Sequence, residues 1–255
     1  MKKRQKQQRS LFIILKYHFS YLILQFLEIA KQSKTLCDRY SVPLLINDRI
    51  DIALAVQAQG VHLGQTDMPI KVARQLLPQG SVIGVSCNTV DDVKKAVLEG
   101  ADYVGIGSVW ATSTKRLTNP IIGVRGIGPL LAALDNTSIK AVAIGMLASA
   151  GFTFKITLKG GIKVTNLQRT LHGAVSESGH TLDGVAVISE IVESSEPGLT
   201  AKCLCKMIHQ FRQSVSANNI RYRDIDCLLN GVTDLLEGTR ELNPLVHQAS
   251  RDPFS

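Results

Sequence analysis

A chain of 255 residues is long enough for one large domain, because α/β barrels commonly reach about this size. The formal charge of +8 does not indicate nucleic-acid binding, because no aromatic-rich recognition motif accompanies the excess cations. Five of those cations lie within the first nine residues, which leaves the rest of the chain close to +3, the charge of an ordinary surface: Lys2, Lys3, Arg4, Lys6 and Arg9.

The cysteine pattern argues against a disulfide framework and a structural zinc site. The chain has five cysteines, which form neither a CxxC pair nor a zinc-type spacing with histidine. An odd number in a long chain is typical of a reducing compartment, so we expect a cytoplasmic protein. The ordinary interpretation is small buried hydrophobic side chains, at Cys37, Cys87, Cys203, Cys205 and Cys227.

Residues 1–25 form an atypical leader, in which a basic start precedes an apolar run. This order resembles a signal peptide, but Lys16, His18, Ser20 and Gln25 interrupt the run and no cleavage pattern follows. We therefore expect no membrane segment, with a membrane-surface protein as the rival interpretation. The alternative is one or two core strands, although the runs LFIIL and YLIL lie too close together for the crossover helix that parallel neighbours need.

Regular elements begin with an amphipathic helix over residues 26–40, which ends before Pro43. Two short apolar runs follow, at residues 43–46 and 60–63, with an amphipathic segment between them. A continuous apolar run is typical of a strand that is buried on both faces, and a helix joining two such strands is the unit of a parallel sheet. Residues 43–63 are therefore predicted to form a strand, a helix and a second strand.

The same alternation continues along the chain. A helix over residues 89–99 is predicted, with Thr89 as its cap and Gly100 at its end. Six strands in βα order, counted from Pro43, indicate an α/β fold with a parallel sheet, either a barrel or an open doubly wound sheet. The later strands are predicted at 81–86, 103–107, 139–144 and 184–188, and the later helices near 128–134, 164–173 and 199–215.

Polar residues and glycines collect at the predicted carboxyl ends of these strands, where parallel α/β folds bind ligands. Two carboxylates suit Mg²⁺ carrying a phosphate, and hydroxyls, a lysine and glycine N–H groups suit phosphate itself. Each position has an ordinary alternative, since an aspartate after a strand is more often a helix cap. Together they predict a site for two phosphorylated ligands: Asn47, Asp48, His62, Asp67, Ser86, Asn88, Thr112, Thr114, Lys115, Gly160, Gly161 and Ser189.

Six motifs in chain order resemble the strand ends of thiamine-phosphate synthase: VPLLINDR, GVHLGQTDMP, VIGVS, YVGIGSVWATSTK, VAIG with a later GGI, and DGVAVIS. The chain looks most similar to the first half of the fungal bifunctional enzyme, which continues into a hydroxyethylthiazole kinase. The resemblance implies a (β/α)8 TIM barrel over residues 26–217, incomplete or rebuilt at its N-terminus. Residues 218–255, which contain LLNGVTDLLEGTRELNPLVHQ, resemble a truncated start of the kinase half, so we expect no kinase activity.

The family is a transferase of thiamine biosynthesis. It condenses 4-amino-2-methyl-5-(diphosphooxymethyl)pyrimidine with thiazole phosphate to give thiamine phosphate and diphosphate. The resemblance thus implies small phosphorylated substrates, Mg²⁺ as cofactor and neither nucleic acid nor membrane as partner, and it leaves a homo-oligomer open.

Site roles follow from the matching motifs. Asp48 and Asp67 would hold Mg²⁺ on the diphosphate, and Ser86 and Lys115 would be catalytic. Asn47 and Lys115 would contact the pyrimidine diphosphate, and His62 would line the pyrimidine pocket. The thiazole phosphate would be bound by Thr112, Thr114, Gly161 and Ser189.

Two departures from the family pattern bear on activity. The family's second strand ends in a Gln-x-Arg-Glu-Lys motif that grips the diphosphate, and no such motif is found here. Residues 146–159 also separate VAIG from GGI, where the family reads VAIGGI without interruption. We expect an intervening segment read into the chain, with a genuine loop insertion as the alternative. If both departures are genuine, activity would be impaired, and the rival function is a non-catalytic phosphate-binding barrel.

Overall fold

The computed structural model describes residues 13–15, 23–110, 121–144 and 161–217. Seven strands of these residues form one parallel sheet, in which each strand pairs with the next one along the chain. The strands are β1 (Ile13–Leu15), β2 (Leu44–Asn47), β3 (Gly60–Leu63), β4 (Val82–Cys87), β5 (Tyr103–Ile106), β6 (Lys140–Ile144) and β7 (Gly184–Ala186).

Helices follow the strands in regular alternation. Their apolar faces cover the sheet, and the buried core lies between the two layers. In the described ranges the helices are α1 (Ile23–Arg39), α2 (Ile50–Ala55), α3 (Ile70–Leu76), α4 (Val90–Glu99), α5 (Ile127–Ala132), α6 (Val164–Gly173), α7 (Ser189–Val192) and α8 (Pro197–Ala217).

The order of the strands bears on whether the sheet has the winding of a barrel or of an open doubly wound sheet, a choice that the sequence left open. A doubly wound sheet reverses its strand order at a switch point, whereas these strands run from β1 to β7 in chain order. Sequential parallel winding is that of a (β/α)8 barrel. Within the described residues, β1 pairs with β2 alone and β7 with β6 alone. The described part is therefore a parallel α/β sheet with the winding of a barrel.

The predicted elements from Pro43 onwards are confirmed. All six strands are present, and α6 has the predicted bounds. Helix α4 has Thr89 as its N-cap, and the Thr89 hydroxyl oxygen accepts the Asp92 N–H at 3.1 Å. It ends at Gly100, which adopts φ 82°. Glycine is favoured there because a side chain strains a left-handed backbone.

The N-terminal part differs from the prediction. The last three residues of LFIIL form strand β1, whereas the last two residues of YLIL, Ile23 and Leu24, lie in helix α1 and not in a second strand. Helix α1 is itself the crossover between the parallel strands β1 and β2. Ile23 and Leu24 are 50% and 79% exposed, so they lie off the apolar face by which the periodicity located the helix. The sheet thus begins within residues 1–25.

Two short helices, α3 and α7, are additions to the predicted set. Helix α7 spans four residues and buries none of them, so it presents no apolar stripe to detect. Its first residue is Ser189, which was predicted as the end of a strand. The part of the chain that the structure describes has no helix with the length and apolarity that crossing a membrane requires.

Substitution of Thr89 by alanine is expected to lower the free energy of unfolding by about 1 kcal/mol. The reason is that the Asp92 N–H loses the hydroxyl that caps it. Urea unfolding monitored by circular dichroism measures the change. Thr89→Ser keeps the hydroxyl and is the matched control. Equal loss of stability in both variants would mean that the cap contributes nothing.

Candidate active site

The centre of the candidate site is a row of three residues across β3, β4 and β5. His62 pairs in register with Gly84, and Gly84 with Tyr103. Neighbours in register on parallel strands share a face, and glycine leaves a gap between the other two side chains. The Tyr103 ring fills this gap, since a Cβ on Gly84 would lie 1.9 Å from its Cζ. Its hydroxyl oxygen thereby comes within 2.7 Å of His62 Nδ1.

The row continues to Ser86, two residues farther along β4 on the same face. Its Oγ lies 2.9 Å from His62 Nε2, so the imidazole is held at both nitrogens. We call this the Tyr103–His62–Ser86 chain. Tyr103 and His62 are 3% and 5% exposed and Ser86 is half-buried, so the chain runs from the interior towards solvent.

Burial raises the pKa of Tyr103, so its phenol stays protonated at neutral pH. A neutral phenol is a good donor to an unprotonated imidazole nitrogen, which favours donation from Tyr103 to Nδ1. The ring hydrogen is then on Nε2, and this N–H donates to Ser86 Oγ. In that tautomer the Ser86 hydroxyl accepts from His62 and can donate its own hydrogen to a ligand.

A second group of polar side chains follows β2 and β3. Asp48 comes directly after β2, and its N–H donates to the His62 carbonyl at 2.9 Å. The Asn47 side-chain amide donates to Asp48 Oδ1. Asp67 Oδ2 accepts the Gly64 N–H at 2.6 Å. Both aspartates therefore lie beyond the carboxyl ends of adjacent strands, with Asp48 exposed and Asp67 half-buried.

Neither aspartate is the N-cap of the helix that follows it. The N-cap of α2 is Arg49 and that of α3 is Pro69. Asp48 adopts φ 63°, a left-handed conformation that aspartate tolerates better than most side chains. Strained backbone of this kind clusters at functional sites. Neither carboxylate therefore occupies the N-cap position of the helix that follows it.

The two carboxylates fit a Mg²⁺ ion that arrives with its substrate. Over the described residues, the structure has no group of three or more His, Cys, Asp and Glu side chains that could hold a metal by themselves. Mg²⁺ is usually bound through one or two carboxylates, and phosphate oxygens and water complete its coordination. Asp48 and Asp67 supply that number and type of ligand.

A different part of the sheet presents the Gly161 turn and Ser189. Gly161 is buried and adopts φ 99°. Its carbonyl accepts the Asn166 side-chain amide at 3.0 Å, and Asn166 Oδ1 accepts the Lys163 N–H at 2.7 Å. Ser189 is one wall of an open cleft of about 310 Å³, which is lined by Lys163, Val164, Ser189, Glu190, Glu193, Ser194 and Thr200.

The structure brings some of the predicted site residues together and separates others. His62 contacts Ser86, and Asn47 contacts Asp48, in one region over β2 to β4. Gly161 and Ser189 lie beyond β6 and β7, in a second region of the same sheet. Thr112, Thr114 and Lys115 lie outside the described residues, as do residues 146–159 and 218–255.

Three functional candidates were missed at the sequence level. Tyr103 reads as the first residue of an apolar strand, and only its register with Gly84 reveals its contact with His62. Gln65 donates its side-chain amide to the Ser86 carbonyl at 2.7 Å. Asn166 supports the turn at Gly161 with a hydrogen bond from its side chain.

Cys87, next to Ser86, is buried. Burial raises its pKa to about 12, which excludes a thiolate nucleophile at neutral pH.

Comparison with known proteins identifies the family. Residues 24–191 match the family model described as thiamine monophosphate synthase. The chain belongs to the thiamine monophosphate synthase family. The matched segment contains all the predicted site residues, including those outside the described ranges.

Relatives in this family come from fungi, bacteria and archaea. The chain is 38% identical over 223 residues to a probable thiamine biosynthetic bifunctional enzyme of Schizosaccharomyces pombe, which covers 87% of this chain and 40% of that protein. It is 37% identical over 180 residues to a thiamine-phosphate synthase of Clostridium botulinum, covering 71% of this chain and 76% of that protein. The solved thiamine phosphate pyrophosphorylase from Pyrococcus furiosus superposes with a TM-score of 0.61 at 28% identity, covering 79% and 84% of the two chains.

Gly84→Ala is expected to lower the free energy of unfolding by about 1–3 kcal/mol, because the added methyl overlaps the Tyr103 ring. Guanidinium unfolding provides the measurement. Gly198→Ala is the matched control, since a Cβ at Gly198 meets open space. If the two variants have the same stability as the unsubstituted chain, Tyr103 does not occupy the gap over β4.

Proposed function

We propose that the chain catalyses the thiamine-phosphate synthase reaction, in which the pyrimidine diphosphate and thiazole phosphate give thiamine phosphate and diphosphate. The observation that carries the proposal is the cluster at the carboxyl ends of β2, β3 and β4. It combines two carboxylates that lie outside the N-cap positions of α2 and α3 with a serine bonded to a buried histidine. Membership of the family supports the same reaction.

In the proposed reaction, the C–O bond between the pyrimidine methylene and the diphosphate breaks, and the diphosphate leaves with the bonding electrons. The lone pair of the thiazole nitrogen then forms the new C–N bond. The substitution requires no general base, because the thiazole nitrogen that attacks carries no proton. The task of the protein is to stabilise negative charge on the leaving diphosphate and to hold the two ligands in line.

The proposed roles are those that the matching family motifs imply. Asp48 and Asp67 would hold Mg²⁺, which when bound would neutralise charge on the leaving diphosphate. Asn47 donates its side-chain amide to Asp48 and would also contact the diphosphate. His62 lines the pyrimidine pocket, and Ser86 donates its hydroxyl at the reacting centre.

Charge on the diphosphate would also be offset by Lys115. The thiazole phosphate would be bound by hydroxyls and by a glycine N–H group, which suit an oxyanion. The residues proposed for it are Thr112, Thr114, Gly161 and Ser189.

We also propose a (β/α)8 TIM barrel over residues 26–217 that is incomplete or rebuilt at its N-terminus, where β1 of the leader pairs with β2. The sequential order of β1 to β7 supports this, because a doubly wound sheet would reverse its strand order. Residues 218–255 are proposed to be the start of a kinase-like domain. The protein is proposed to act in the cytoplasm, on small phosphorylated substrates.

The reaction is tested by mixing the purified chain with both substrates and Mg²⁺, and by measuring diphosphate and thiamine phosphate together. Equal amounts of the two products are expected. The departures at residues 146–159 and in the Gln-x-Arg-Glu-Lys motif favour one rival, a phosphate-binding barrel without turnover. Mg²⁺-dependent binding of the pyrimidine diphosphate without product would support that rival and contradict the enzyme.

Asp48→Asn is expected to reduce kcat about 100-fold, the order of effect seen when one preorganised electrostatic contact is lost. The concentration of Mg²⁺ that gives half-maximal rate is expected to rise, because one ligand loses its charge. Rate measurements over a Mg²⁺ titration check both effects. Glu177→Gln, on an exposed turn after α6, is the matched control for the loss of a surface charge. Unchanged turnover in Asp48→Asn would refute the metal assignment.

A further inference from the structure

Trp110 lies in the segment that follows β5 and connects this segment to helix α6. Its indole N–H donates to Thr170 Oγ1 at 2.9 Å. The guanidinium of Arg169 lies 5.6 Å from the centre of the indole ring, within the range of a cation–π contact. The ring also packs on the hydrophobic core. Trp110 is thus fixed to α6 by its polar atom and by its face.

Thr170 connects Trp110 to Asn166 in the first turn of the same helix. It is fully buried at 0% exposed, and its hydroxyl donates to the Asn166 carbonyl at 2.9 Å while it accepts from Trp110. Buried polar atoms in folded proteins are normally paired, so loss of either partner leaves a group that the interior does not solvate. The hydroxyl therefore fixes α6 relative to the indole.

Asn166 connects α6 to the Gly161 turn. Its side chain bonds the Gly161 carbonyl and the Lys163 N–H, one with each end of the amide. Gly161 adopts φ 99°, a conformation that requires local support and that few residues other than glycine can take. The direction of the Gly161 peptide thus depends on where α6 places Asn166.

We propose that Trp110 and Thr170 are positioning residues for the phosphate-binding turn at Gly161. They act through Asn166 and do not touch the ligand. The inference rests on the proposed function, because it assigns the Gly161 turn to the thiazole phosphate. It predicts a selective effect. Loss of the Trp110–Thr170 bond weakens binding of the thiazole phosphate and leaves binding of the pyrimidine diphosphate unchanged.

The test compares Thr170→Val, which has a similar shape without the hydroxyl, with Thr170→Ser, which keeps the hydroxyl. In Thr170→Val the KM for thiazole phosphate is expected to rise about fivefold, the effect of one neutral hydrogen bond. The KM for the pyrimidine diphosphate and kcat are expected to stay the same. Thr170→Ser is expected to restore the KM. Thr137→Val is the matched control, because it removes a half-buried hydroxyl that bonds the Leu134 carbonyl instead.

Fluorescence provides a second readout, because Trp110 is the single tryptophan of the chain. Its emission maximum is expected to shift in Thr170→Val and not in Thr170→Ser, since only the first variant removes the acceptor of the indole N–H. If Thr170→Val does not fold, Trp110→Phe removes the donor instead, and the same selective rise in KM is expected.

Three results separate this inference from the proposed function. In the first, the unsubstituted chain turns over, and the KM for thiazole phosphate is unchanged in both Thr170→Val and Trp110→Phe. This result overturns the positioning role and leaves the synthase assignment intact. An equal rise in both KM values also overturns it, because the effect is then general. Absence of turnover in the unsubstituted chain removes the synthase assignment, and the role of Trp110 fails with it.

Discussion

Parallel pairing in register is the constraint on which the site depends. His62, Gly84 and Tyr103 come from three strands and meet only because β3, β4 and β5 align them in one row. A slip of one residue in either pair would turn a side chain to the opposite face of the sheet. The glycine in the middle strand is as necessary as the two polar residues, because it lets the phenol reach across β4 to the imidazole. The orientation of Ser86 then follows from the two nitrogens of His62.

The two edges of the sheet use aspartates differently. Asp102 and Asp183 precede β5 and β7 at the amino-terminal edge. Each accepts a backbone N–H of the neighbouring strand, from Ile83 at 2.7 Å and from Ala141 at 2.9 Å. These carboxylates satisfy strand ends and fix the register. Asp48 and Asp67 lie at the carboxyl-terminal edge and outside the N-cap positions of α2 and α3, so they are the pair suited to a ligand.

The candidate site residues that the structure describes belong to two regions of one sheet. The carboxylates and the Tyr103–His62–Ser86 chain belong to β2 to β5, whereas the Gly161 turn and Ser189 belong to β6 and β7. Trp110 leaves the first region after β5 and bonds α6 of the second. A reaction between two bound ligands needs both regions held at a fixed separation, since small displacements of reacting atoms are costly in rate. The hydrogen bonds from Trp110 to Asn166 provide a direct connection of this kind.

The sequence by itself determined the six strands from Pro43 onwards, the cap at Thr89 and the collection of polar residues at strand ends. These features are local, because a buried strand, a capped helix and a left-handed glycine each have a signature within a few residues. Six motifs in chain order likewise sufficed to indicate the family. The start of α1 and the short helix α7 were missed, since their residues are too exposed to form an apolar stripe. The contact of Tyr103 with His62 joins residues 41 positions apart, and that of Trp110 with Thr170 joins residues 60 apart. Only the tertiary structure decided these contacts, because register between strands and packing of a helix on a loop depend on parts of the chain that local sequence does not relate.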